Sequence, residues 1–267
     1  LSTDLKRAAR EAFARADQLT TQMERRYPTA WRELDGFRVN PPQPWPEWCL
    51  LPMAASAAVC TDFAPIEQVR HPLTPVPIAT MAAVYAWRYS RSVYLFHPDL
   101  RRRLTGTVPD LPDLDLLAGM PDWCLVVPTM HPEWPGAGLW AHLEADANTR
   151  RPELRLLDDD GTNDPVTIPV YLDRPTLTEA LADFRATARA SGVRGGQITT
   201  GQDVHGGALD EWAASMADRV DQMIALVAYL CRPEADIREM GRTWVRPGPR
   251  ARSRRRGRTV WLVGYGD

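Results

Sequence analysis

Between residues 4 and 26, apolar side chains recur at Leu5, Ala9, Ala12, Ala16, Leu19 and Met23. Spacings of four and three put them on one narrow seam of a helix. Ser2, Thr3 or Asp4 can cap its start, and Pro28 lies just past its end. The seam is expected to pack on the body of this protein rather than on a second copy. A second long helix is predicted over 209–231, where Leu209, Trp212, Met216, Val220, Met223, Val227 and Leu230 keep the same rhythm. From Met223 to Cys231 nearly every side is apolar, so this half belongs in the middle of the molecule. Thr176 and Glu179 have capping-box spacing for a third helix ending at Gly192, with Leu177, Leu181, Phe184 and Ala188 inward.

A period of two takes over in the centre of the chain. Leu139, Ala141 and Leu143 alternate with Trp140, His142 and Glu144, as in a strand with two unlike faces. Turn formers follow from Asp146 to Arg150, Pro152 interrupts, and Glu153 to Leu157 is extended again. The pair is a hairpin with one apolar side and one side carrying His142, Glu144, Asp146 and Arg155. It fits the middle of a sheet or a working surface, and the residues leave both open. Further strands are predicted over 92–96, 123–127, 166–172 and 259–263, with Pro169 marking an edge or bulge. Shorter helices are predicted over 53–61, 78–88 and from Pro98 to Leu104. From Arg38 to Pro52 five prolines surround Trp45 and Trp48, an irregular stretch pinned by its rings. These elements predict one α+β body over 1–267, a central mostly antiparallel sheet flanked by amphipathic helices. Its parts are the 4–26 helix, a sheet-rich core over 85–172, a helical part over 176–231, a basic loop over 246–258 and the last strand.

Composition changes this picture little. Hydrophobic residues at 44% and charged residues at 25% suit a globular chain. A net charge of −2 argues against a generally basic nucleic-acid binder. Lys6 is the only lysine among 32 basic residues, a bias that GC-rich coding explains. No apolar run approaches the roughly 20 residues of a membrane span, and no signal peptide is visible, so a cytoplasmic protein is expected. Cys49, Cys60, Cys124 and Cys231 form no CxxC pair and are expected to be buried thiols. Neither a metal nor a cofactor is implied.

Candidate chemistry is sparse. Residues 192–207 form a glycine-containing loop without the GK[ST] of a phosphate-binding loop. Glu144, Asp146 and Glu153 are the carboxylates that a metal-dependent nuclease would gather around Mg2+, with His142 as a neighbouring base. Such an enzyme of the common restriction type wants a lysine after its acidic strand, where Arg155 stands instead. Solvent-facing carboxylates paired with Arg150, Arg151 and Arg155 are the plainer reading. No G-x-S-x-G and no cysteine signature is present, so no enzyme is expected. Arg250, Arg252, Arg254, Arg255, Arg256 and Arg258 make one concentrated basic segment, suited to phosphate contacts with RNA or a translating ribosome. Aromatic and polar residues near the hairpin, namely Tyr94, Trp140, His142, Glu144 and Arg155, are the candidate grip on a polypeptide.

Four stretches, YAWRYSRSVYLFHPDL (85–100), GLWAHLEADANTRRPELRLL (138–157), IALVAYLCRPEADI (224–237) and TVWLVGYG (259–266), resemble the family of the second type V-A anti-CRISPR protein and its relatives on phages and plasmids. Their order and spacing run over about two thirds of the chain. The chain departs from the family in its arginine-rich segment, and a few residues are expected beyond Asp267. The resemblance implies a protein that recognises the emerging N-terminal polypeptide of Cas12a, with loss of the message following. It implies binding rather than catalysis.

Overall fold

The computed structural model describes residues 3–62, 75–106, 110–128, 138–145, 151–161, 165–183, 206–241 and 257–266, apart from Gln43 and Leu181. The N-terminal seam forms α1 (Thr3–Arg26), followed by α2 (Ala30–Val39), α3 (Met53–Asp62) and α4 (Pro75–Ser90). Leu5, Ala9, Ala12, Ala16, Leu19 and Met23 are all buried within this one chain, as the spacing predicts. Next come β1 (Ser92–Phe96), α5 (Pro98–Thr105), α6 (Leu114–Ala118) and the strands β2 (Cys124–Pro128), β3 (Gly138–Ala145), β4 (Pro152–Asp159) and β5 (Val166–Tyr171). Finally α7 (Gly206–Cys231) leads to β6 (Ile237–Glu239) and β7 (Thr259–Val263). The fold is α+β, as expected.

The single central sheet expected from the strand pattern is in fact two. One is an antiparallel meander of four strands in the order β2-β3-β4-β5. The other has the order β1-β7-β6, and β1 runs parallel to β7 from Ser92↔Thr259 to Phe96↔Val263. β1 lies beside β2, so the two sheets adjoin. Close strand approach is built in at Gly138, where a Cβ would stand 2.9 Å from the Val127 carbonyl. Two short elements, α6 and β6, carry too few residues for a periodic pattern to stand out, and α2 takes in Arg38 and Val39 from the stretch expected to be irregular. A local signal did exist for α6, since the Leu116 N–H donates to Asp113 Oδ1 at 2.7 Å, a side-chain cap. Thr176 likewise caps the helical turn from Leu177, accepting from the Glu179 N–H at 3.2 Å. The rest of that predicted helix and most of the 192–207 loop lie outside the described residues.

Alternation along the strands divides the interior into two layers. Val93, Leu95, Cys124, Val126, Trp140 and Leu157 face α1 to α4. Tyr94, Leu125, Ala141, Leu154, Ile168 and Val263 face α5, α6 and α7. The described half of α7 is central, with Ile224 and Val227 fully enclosed. Both faces of β4 are therefore covered, and its last two residues show the consequence. Asp159 turns to one side and accepts from Arg15 Nη2 at 2.7 Å and Nε at 2.9 Å. Asp158 turns to the other and accepts from Arg219 Nη2 at 2.8 Å. One arginine from each helical layer thus grips adjacent positions of one strand.

Removing one partner of a buried pair strands the other charge. Arg15 and Asp159 are both buried, so Arg15→Ala should lower unfolding free energy by about 3–5 kcal/mol. The double variant with Asp159→Ala should lose less than the sum of the single changes, as read from denaturant titrations. Asp158 adds a pH signature. Burial pushes its carboxyl up to about 6, against an ordinary 3.8, and Arg219 only partly opposes this. Between those values the folded chain holds a proton that the unfolded chain has released. The stabilisation from this group is therefore present below about 4 and fades as pH rises through about 6. Asp158→Asn should flatten that part of the stability-versus-pH curve.

Candidate functional site

The β3–β4 register sets His142 opposite Arg155 and Glu144 opposite Glu153. Residues directly opposite share a face, and Trp140 opposite Leu157 fixes which face it is. The polar row therefore points into the layer of α1 to α4. All four polar residues are buried, at 2% exposure for His142 and Glu144, 3% for Glu153 and 8% for Arg155. The solvent-facing carboxylates of the plainer sequence reading are corrected here: helices cover the hairpin on both sides.

Inside this row the charges are held locally. His142 Nε2 lies 2.9 Å from Glu144 Oε1. With the carboxylate accepting, Nε2 carries the hydrogen of this contact. Nδ1 is buried and has no hydrogen-bond partner. The other Glu144 oxygen, Oε2, accepts from the backbone N–H of Met53 at 2.8 Å. Met53 opens α3, so this is one of the donors that a helix start leaves unused, and the helix dipole favours the carboxylate there. Glu153 and Arg155 form an ion pair along β4, while Arg155 Nε is buried without a partner. Beside His142 a small cavity is bounded by Leu50, Ser56, Ala82, Tyr85 and Trp123. It holds no more than a single water.

The residues named from sequence do not share one surface. Tyr94 lies in the α7 layer, stacked on Trp261, and its hydroxyl donates to Asp122 Oδ2 at 2.6 Å. Trp140 lies in the opposite layer with its ring edge to Trp87 at 6.0 Å. Neither presents a face to a partner. His142, Glu144 and Arg155 are brought together, and sequence reasoning missed the Met53 N–H that meets Glu144 and the Ser56 that lines the cavity beside His142. A serine among the alanines of α3, just after Pro52, was the available signal.

The remaining candidates fare as follows. Asp146 lies outside the described residues, and so do Arg250, Arg252, Arg254, Arg255 and Arg256. Arg258 is described: it pairs with Asp17 and lies 5.1 Å from the Phe13 ring centre, tying the start of β7 to α1. Both Glu144 oxygens are occupied, and among the described residues no group of three His, Cys, Asp or Glu is placed to hold a metal ion. All four cysteines are buried, and none is in a disulfide. Burial pushes the Cys60 thiol up to about 11 and the Cys124 thiol further, so neither is an activated nucleophile. Among the described residues no helix is long and apolar enough to cross a membrane.

A family model described as "AcrVA2-like: Anti-CRISPR type V subtype A2 family" matches residues 94–266. The chain belongs to this anti-CRISPR family. Among solved structures it is similar to one titled "Crystal structure of AcrVA2", with a TM-score of 0.64 and 15% identity over 96% of this chain and 84% of that one. No curated protein sequence matches the chain.

Burial of Trp140 makes its removal a stability experiment. Trp140→Ala should cost about 3–5 kcal/mol, read as a lower midpoint in thermal and denaturant unfolding. A variant that unfolds like the parent would mean that the Trp140 ring is not a core contact.

Proposed function

We propose that this protein recognises the N-terminal segment of a target polypeptide as it emerges, with Cas12a the target that the family suggests, and thereby lowers its production. The observation that carries the reading is the family match, which takes in β2 to β7 whole and therefore the His142–Glu144–Glu153–Arg155 row. That row supports it chemically. Carboxylates accept main-chain N–H groups and a guanidinium donates to carbonyls, the two needs of any extended peptide. Capture does not require an activated nucleophile or a bound metal.

Two measurements bear on this. The tagged protein is isolated from cells making Cas12a, and the messages of co-isolated ribosomes are sequenced. The Cas12a message should be strongly enriched over its share of the total, and enrichment should vanish when its first codons are recoded to another peptide. Messages recovered in proportion to their abundance would sink the reading. In the second, purified protein is incubated with labelled RNA and DNA in Mg2+ or Mn2+. No cleavage is expected, and cleavage that disappears in Glu144→Gln would promote the nuclease instead.

A further inference from the structure

We propose that the start of α3 is a built-in substitute for the bound peptide: the Met53 N–H occupies the Glu144 acceptor that a main-chain donor of the partner takes when α3 moves aside. The inference rests on the peptide-binding reading and adds a gate and a ligand chemistry to it. Four observations lead to it. First, a sheet face under helices is ordinarily apolar, yet this one carries two carboxylates, an imidazole and a guanidinium, each nine-tenths buried or more. Second, the row keeps hydrogen-bonding capacity that the closed protein leaves unused, since His142 Nδ1 and Arg155 Nε have no partner. Buried polar atoms are rarely left so unless something else completes them. Third, α3 meets the row through one main-chain donor, Met53 N to Glu144 Oε2. It is a ten-residue helix whose buried side chains are small, Ala55, Ser56, Val59 and Cys60. Such a helix is marginal by itself, and its position depends on what it touches. Fourth, the cavity beside His142 and Ser56 marks incomplete packing at this contact.

The groups of the row define the ligand. Glu144, once Met53 leaves it, accepts an N–H, Arg155 Nε donates to a carbonyl, and His142 Nδ1 adds one more hydrogen-bonding atom. Together they fit an extended polypeptide backbone or its terminal ammonium group. Met53 already presents the first of these donors in the closed form.

The test removes the competing donor, and Met53→Ala, which keeps that donor, serves as the control for the Met53 side chain packed against the α1 to α4 layer. Proline lacks the N–H but is favoured at the first position of a helix, so Met53→Pro keeps α3 while vacating Glu144. Without any partner, Cys60 on α3 is buried and its labelling by a thiol reagent reports opening. Loss of a hydrogen bond to a charged group predicts labelling faster by about tenfold or more. A synthetic peptide with the Cas12a N-terminal sequence is then titrated, once with a free and once with an acetylated amino end. Met53→Pro should bind it severalfold more tightly than the parent, and Met53→Pro with Glu144→Gln should lose that gain. A preference for the free end assigns the terminal ammonium to Glu144; equal binding assigns an internal N–H. Unchanged Cys60 labelling in Met53→Pro overturns the gate whatever the peptide does. Faster labelling with unchanged or weaker binding reduces the Met53 contact to a fold-holding one and overturns it equally. If no peptide binds either protein while labelling still accelerates, α3 opens as described but the peptide-binding reading fails, and the proposed ligand with it.

Discussion

Everything in this fold follows from covering β4 on both sides. A strand buried on two faces has nowhere to put a charge except inside, so each of its ionised groups needs a partner. Asp159 receives Arg15 from α1, Asp158 receives Arg219 from α7, and Glu153 receives Arg155 from its own strand. These contacts do for orientation what apolar packing cannot. Hydrophobic burial tolerates sliding, whereas a two-bond grip such as that of Arg15 on Asp159 fixes one rotation of α1 against the sheet.

The same constraint shapes the functional row. Glu144 meets the first residue of α3, and Ser56 of α3 lines the cavity beside His142. The charge of Glu144 is met by His142 and by a backbone donor, and the second of these ties the site to the position of a short helix. The residues matched to the anti-CRISPR family run from the middle of β1 through β7 and take in α5, α6 and α7. The helical layer of α1 to α4 precedes the matched stretch, and it supplies the contact that closes the row.

Much of this architecture was legible in the residues. The α1 seam, the two strands of the hairpin, the strand over 92–96 and the strand over 259–263 all have patterns long or apolar enough to declare themselves. What the pattern cannot reveal is what covers a face. Alternation of Trp140, His142 and Glu144 with leucines shows that the two sides differ, but burial of the polar side depends on helices from elsewhere in the chain. The same holds for Tyr94 and Trp140. Both are aromatic strand residues, yet they point into opposite layers, and only the packing of the helices on each face shows that. The Met53 contact was invisible for a further reason, because a main-chain donor leaves no mark in the residue type.

The parallel pairing of β1 with β7 has a consequence for the order of events during synthesis. β7 is the middle strand of its sheet, flanked by β1 and β6, yet it is translated after both. Ser92 must wait for Thr259. Until β7 has emerged, β1 has its helices but lacks its neighbour, and one edge of it offers unpaired main-chain groups. Pairings so distant in sequence close slowly and leave such edges exposed to other chains. The small sheet is completed only after β7 has cleared the exit tunnel.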